Sequence, residues 1–404
     1  MSNSIILTNC SQILTMADEG LGIIERGALR VREGRIVELG PGLVPEPGEE
    51  VIDCENSVVL PGFVDPHTHL VFAGWRAEEF ELRLAGKTYK EIAEAGGGII
   101  ATVLKTRQAT EEELYERALR RLKEMISWGT TTVEIKSGYG LDTKNELKIL
   151  RVIKRLEAAG LTGVVPTFLG AHSVPREMKK SDYLRLIIDE MIPVVAKEGL
   201  AKFCDVFCEN FVFNAEESRV VLEAGKRAGL LPTIHADEIE SSGGAEVAAE
   251  VGAVSASHLL QPLETWLRMM SEKGVVAVLL PATCFFLQER HRPPVGKMRE
   301  LGIPIALGSD FNPGSSTLLA QPLTLQFGCI YYGLTIVEAI RGVTLIAAKA
   351  LKMEQEVGSL EPGKRADIVI TDVPDYRHLA YRLGHNPVRT VISKGRVIYQ
   401  KQRS

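Results

Sequence analysis

A chain of 404 residues, 45% apolar and 25% charged, has ample material for a large core and points to one large domain with an attachment, or to two domains. Its formal charge of −5, without any Lys/Arg run, argues against binding to polyphosphate, nucleic acid or a membrane surface. No apolar run approaches the roughly 18–20 residues of a spanning helix, and the N-terminus lacks a signal-peptide pattern. The six cysteines (Cys10, Cys54, Cys204, Cys208, Cys284, Cys329) are scattered, with no C-x-x-C, so we expect reduced thiols in a cytoplasmic protein.

Residues 4–60 read as short strands between turns: Ile5–Leu7, Gly27–Val31, Arg35–Leu39 and Val51–Asp53, punctuated by Gly40-Pro41-Gly42 and Pro45-Glu46-Pro47-Gly48. Strand-like text returns at Ala366–Ile370, Val388–Ile392 and Arg396–Tyr399. Neither terminus alone buries much, so residues 1–60 and 357–404 are expected to pool into one small β-sandwich.

Between them the period changes. Helical segments at Thr110–Trp128, Lys144–Ala159, Asp182–Glu198, Ala215–Gly229 and Pro262–Lys273 alternate with eight apolar strands. Those strands are Gly62–His69, Thr130–Ile135, Val164–Gly170, Cys204–Cys208, Pro232–His235, Ala253–His258, Val275–Leu280 and Pro304–Asp310. Eight strand–loop–helix units predict an α/β fold, a (β/α)8 TIM-type barrel over residues 61–356. A doubly wound sheet would typically stop at about five to seven strands, and no G-x-G-x-x-G follows any of them.

The ionisable residues at the strand ends carry the functional reading. Strand one ends in His67 and His69, strand five in His235, strand six in His258 and strand eight in Asp310. A lone H-x-H is a weak motif. In a barrel of this kind, however, the C-terminal ends of the strands share one mouth, so these residues meet. Three imidazoles and one carboxylate suit Zn or Fe with a position left for water, whose pKa such an ion lowers to about 7.

Along its whole length the chain resembles the amidohydrolase superfamily. The resemblance rests on Pro61-Gly62-Phe63-Val64-Asp65-Pro66-His67-Thr68-His69, on His235, His258 and Asp310, and on Gly358–Asp367. It implies a ligand set of His67, His69, His235 and Asp310. Many members bridge two metals through a carboxylated lysine at the end of strand four; Cys204–Glu209 contains none, and Lys136, after strand two, reads as an ordinary polar loop residue. One metal ion per chain is therefore expected. His235-Ala-Asp-Glu238 resembles the H-x-x-E of the mononuclear members, which implies that Glu238 shuttles protons.

Longer strings narrow the resemblance to the histidine-degrading branch of that superfamily: His69–Arg76, Glu134–Gly140, Phe168–His172 and Ser309–Ser315. The implied reaction is hydrolysis of 4-imidazolone-5-propanoate to N-formimidoyl-glutamate by a homodimer. Arg76 would hold the propionate through its planar fork, with Tyr139, His172 and Tyr89 adding donors. Asp310 would take a proton from water, His258 would polarise the ring carbonyl, and Glu238 would protonate the departing ring nitrogen. Asn312, Gly314 and Ser315 would contact the ring or the new carboxylate. The alternatives are a cyclic-amidine or nucleobase deaminase on the same scaffold, which gives Arg76 and His172 no partner, or a non-catalytic binding module, which would be expected to have lost ligands. Ala95–Ile99 lacks the Lys-Ser/Thr of a phosphate loop and reads as a flap. His291 reads as a surface residue, and His378 and His385 as structural.

Overall fold

The computed structural model describes residues 4–87, 91 and 96–402. In chain order its strands are β1 (Ser4–Leu14), β2 (Ile23–Glu25), β3 (Ala28–Arg32), β4 (Arg35–Gly40), β5 (Glu50–Pro61), β6 (Phe63–Asp65), β7 (Thr130–Lys136) and β8 (Gly163–Ala171). There follow β9 (Phe203–Cys208), β10 (Leu231–Ala236), β11 (Ser255–His258), β12 (Val276–Leu279), β13 (Ile305–Leu307), β14 (Ile368–Thr371), β15 (Val388–Ser393) and β16 (Arg396–Gln400).

Strands from both chain ends share one sheet in the order β16-β15-β14-β5-β1-β3-β4, with β2 pairing β1. The sheet folds over on itself. The Ile36 amide donates to Lys364 O, and the amides of Gly363 and Ala366 donate to Ile36 O and Gly34 O, so β4 meets the segment leading into β14. Alternation does the rest: Val59, Ile368, Ile370 and Ile392 face the core inside this fold, while Val58, Leu60, Val369 and Val391 face the barrel.

Strands β6 to β13 run parallel in sequential order. Helices cover them, and their starts are written in the sequence. Thr110 with Glu113 forms a capping box for Glu111–Ser127, and Asn214 with Glu217 does so for Ala215–Arg227. The first of these buries Leu114, Ala118, Leu122 and Met125, one stripe of the helix surface.

The barrel closes unevenly. At the N-terminal end β6 and β13 are not paired; the Val64 amide donates to Val343 O instead, and Gln321 Nε2 donates to Val64 O. At the C-terminal mouth the segments that follow β6 and β13 join directly: the His69 amide donates to Phe311 O, the Asp310 amide to His67 O, and Thr68 bridges Phe311.

Several elements differ from the sequence expectation. Strands one and eight are shorter than Gly62–His69 and Pro304–Asp310, because the polar segments beyond Asp65 and Leu307 leave the ladder and bond to one another. The expected helix Asp182–Glu198 is Lys180–Leu186 and Ile192–Lys197 joined by a π-turn at Ile187–Met191. Of the expected flap, Ile99 begins the helix Ile99–Gln108, and Ala95 lies outside the described residues. All six cysteines are free thiols. No helix among the described residues is long and apolar enough to cross a membrane.

Candidate active site

His67 and His69 lie just beyond β6, His235 on β10, and their ring nitrogens converge within 4.8 Å of one another, all buried. Asp310, beyond β13, brings Oδ1 to 3.5 Å from His67 Nε2 and 3.6 Å from His69 Nε2. The arrangement has the marks of a ligand set. His67 Nε2 and His235 Nε2 are buried yet have no hydrogen-bond partner among the described residues, a costly state for a polar atom unless something else uses its lone pair. Their opposite nitrogens are engaged: His67 Nδ1 with Ser257 Oγ at 2.9 Å, His235 Nδ1 with Asp205 Oδ1 at 3.2 Å. A carboxylate accepts, so His235 carries its proton on Nδ1 and leaves Nε2 bare. Burial, with Lys136 and the crowding of imidazoles around them, also holds His67 and His69 well below the ordinary imidazole range, in the neutral form a metal requires. Asp310 is pushed up to about 6 by burial, against a 2.6 Å hydrogen bond from Thr283 Oγ1 to its Oδ2. That bond leaves Oδ1 directed at the histidines.

Glu238 and His258 face each other across the same site, with Glu238 Oε1 3.5 Å from His258 Nδ1. Burial, reinforced by the charge of Asp310, raises the Glu238 carboxyl well above the usual carboxylate range; burial keeps His258 neutral. The backbone here is tightly constrained. His258, Asp310 and Asp237 have φ values of 70°, 50° and 51°, the left-handed region that non-glycine residues rarely adopt. The Asp237 carboxylate accepts the amides of residues 242–245 at the start of helix Gly244–Val251. Glu209 accepts the amides of Glu238 and Ile239, each at 2.8 Å. Together they fix the Glu238 loop.

These groups open into a cavity of about 990 Å3 whose walls include Arg76, Tyr139, His172, Phe207, Phe286 and Gly314. Arg76 is nearly buried, with Glu79 Oε2 3.8 Å from its Nη1. A Cβ at Gly314 would overlap the Arg76 guanidinium, which gives the glycine a physical reason. The approach is held from behind by Arg121, which donates to Leu70 O and Phe72 O and lies 3.6 Å from the centroid of the Phe72 ring. Tyr139 is buried, its ring 5.8 Å from that of His69 and 5.3 Å from that of His172.

Two assignments change in the structure. His172 Nδ1–H donates to Gly138 O, and burial lowers the ring to about 3, so its Nε2 is an acceptor and not the donor expected from sequence. Asn312 spends its amide on its own loop, donating to Asp310 O and Ser315 Oγ and accepting the amides of Gly314 and Ser315. It shapes the loop that presents Gly314 and Ser315. Tyr89 lies outside the described residues.

A third change concerns Lys136, read from sequence as a polar loop residue. It ends β7 and is buried, with Nζ 2.9 Å from Glu134 Oε1 and 2.8 Å from Asp205 Oδ2. Sequence reasoning missed Asp205, Ser257, Thr283 and Glu209 altogether. For Asp205 a signal existed: an isolated carboxylate in the apolar run Phe203–Cys208 cannot be buried without a partner.

The amidohydrolase family pattern matches residues 58–398. The chain belongs to the amidohydrolase family. The imidazolonepropionase of Geobacillus kaustophilus is 50% identical over 387 residues, covering 94% of this chain and 91% of the relative. That of another Geobacillus species is 47% identical over 99% of both chains. Among solved structures, a triazine hydrolase variant superposes with a TM-score of 0.78 at 16% identity, covering 98% of this chain and 94% of its own. A 5-methylcytosine deaminase from Klebsiella pneumoniae does so with 0.76 at 20%, covering 99% and 98%. The two structures share the architecture of this member of the family, and their different names show that the fold alone does not select the reaction.

Proposed function

We propose that the chain hydrolyses the cyclic amide of 4-imidazolone-5-propanoate to N-formimidoyl-L-glutamate in histidine degradation, as the names of its relatives suggest. The observation that carries this reading is Arg76, an arginine nearly buried against Gly314 in the cavity that His69, His235, Glu238, His258 and Asp310 also line. A propionate tail gives that guanidinium a planar, bidentate partner beyond Glu79, which lies 3.8 Å from Nη1; a nucleobase offers it no carboxylate. One zinc or iron ion at His67, His69, His235 and Asp310 would supply Lewis-acid polarisation and an ionised water at neutral pH.

The chain's own groups do the rest. Asp310 accepts the proton of the attacking water. His258 donates toward the carbonyl oxygen as negative charge builds there. Glu238, held in its protonated form, gives its proton to the ring nitrogen as the C–N bond breaks, leaving a new carboxylate and the formimidoyl amine. His172 Nε2 accepts from a ring N–H, Tyr139 adds a donor, and Gly314 and Ser315 line the far side.

Adding imidazolone propionate and following loss of its ultraviolet absorbance, with ammonia assayed in parallel, tests the reaction. Absorbance loss without ammonia is expected; ammonia release would mark a deaminase. The same reading makes the enzyme a cytoplasmic homodimer, and sedimentation of the purified protein checks the dimer. Metal analysis should give one ion per chain, and His235→Ala should lose most of it, because each imidazole supplies a direct bond. Two ions per chain, or unimpaired content in that variant, would contradict the ligand assignment.

A further inference from the structure

Resting on that metal-centre reading, we propose that Lys136 is a positioning residue, the internal cation that couples the two halves of the histidine site through Glu134 and Asp205. Thr68, between His67 and His69, is clamped to β7 three times. Its amide donates to Glu134 Oε2 at 3.2 Å, its hydroxyl donates to Glu134 O at 2.7 Å, and its carbonyl accepts the Lys136 amide at 2.9 Å. The Lys136 ammonium then links Glu134 to Asp205, and Asp205 holds His235 Nδ1 at 3.2 Å. One continuous polar path therefore joins the ligands beyond β6 to the ligand on β10.

The three charged side chains are each 3% exposed or less. Burying such a cluster is expensive in desolvation and is weak evidence of a stabilising role by itself. Its geometry explains its presence better. Without Lys136 the Glu134 and Asp205 carboxylates would repel each other in the barrel interior, and Asp205 Oδ2 would lose its cation, leaving the Val206 amide on Oδ1 at 2.8 Å to help orient the carboxylate toward His235. Burial opposes the charge on Lys136, but Asp205 and Glu134 outweigh it and raise its pKa, so the residue stays an ammonium. An ammonium held between two carboxylates has no free lone pair and does not itself ligate a cation.

Metal affinity reads this role separately from activity. The test titrates zinc against a chromophoric chelator in the full chain, for the wild type, Lys136→Met, Asp205→Asn and two double variants. Lys136→Met/Glu134→Gln and Lys136→Met/Asp205→Asn each remove one cation and one carboxylate, so both keep the cluster's net charge even if Lys136→Met alone fails to fold. Lys136→Met/Glu134→Gln should bind zinc about 10- to 100-fold more weakly, the usual effect of losing an outer-shell support, with its metal-free melting temperature unchanged. Lys136→Met/Asp205→Asn should be no weaker than Asp205→Asn, since Lys136 acts through Asp205. Zinc affinity indistinguishable from the wild type in Lys136→Met/Glu134→Gln would overturn the proposal, as would independent, additive losses at Lys136 and Asp205. A wild type that binds no zinc or iron would instead remove the metal-centre reading, and this proposal with it.

Discussion

Glu238→Gln is expected to keep its metal and lose roughly 10²–10⁴-fold in turnover, the usual contribution of a positioned proton donor. Glutamine keeps the shape of the side chain, and the amides bonded to Glu209 keep the loop in place. Only the transferable proton is gone. Metal loss in this variant would put Glu238 in the ligand shell, and wild-type turnover would make it a bystander. A second readout comes from stability. Burial, then the charge of Asp310, raises the folded-state carboxyl above its unfolded value. In the metal-free protein its stabilising contribution is therefore complete below the ordinary carboxyl range and is lost as pH rises toward the elevated value. Glutamine cannot titrate, so the metal-free variant should lose stability less steeply over that interval in thermal unfolding at stepped pH. The slope that remains belongs to groups such as Asp310, raised to about 6, and Asp65, raised to about 7, both chiefly by burial.

Arg76→Ala should lower kcat/KM for the propionate substrate by roughly 30- to 1,000-fold, equivalent to about 2–4 kcal/mol for a charge-assisted bidentate contact in a partly desolvated pocket. An imidazolone without the tail should be nearly unaffected, because it never used the contact. Running both substrates on both proteins makes a double-mutant cycle between side chain and tail. Gly314→Ala offers the same test from the other side, since its methyl group would displace the guanidinium without removing it. It should reproduce the selective loss. Equal losses on the two substrates would mean that Arg76 supports the architecture of the site and that the tail is bound elsewhere. No loss on either would return the deaminase reading to contention.

What could be read from sequence follows the range of the interactions. His67, His69, His235, His258 and Asp310 were legible because each ends or follows an apolar run, and one assumption about the fold brings such ends together. Of the terminal sheet, β14 was legible as Ala366–Ile370, whereas of β5 only Val51–Asp53 was expected and the strand runs on to Pro61. Lys136 was not. Its partners are Glu134, two residues away, and Asp205, on a strand two places further round the barrel, and no spacing rule connects them. The donor role given to His172 failed because the tautomer is set by Gly138 O, a backbone atom without a sequence signature. The limits of β6 and β13 failed because their last residues exchange ladder bonds for the contacts that close the mouth.

The placement of β5 has a consequence for how the molecule is made. On one edge β5 pairs with β1, which precedes it closely, and on the other with β14, which follows the entire barrel. On the ribosome the N-terminal strands must wait, with the edge of Val59, Leu60 and Pro61 unpaired, until Ile368–Ile370 emerges. An apolar open edge is a template for pairing with another chain, and pairings this distant in sequence form slowly. The nascent protein is thus most prone to aggregate late in synthesis, when the barrel is already present and its base is still half built.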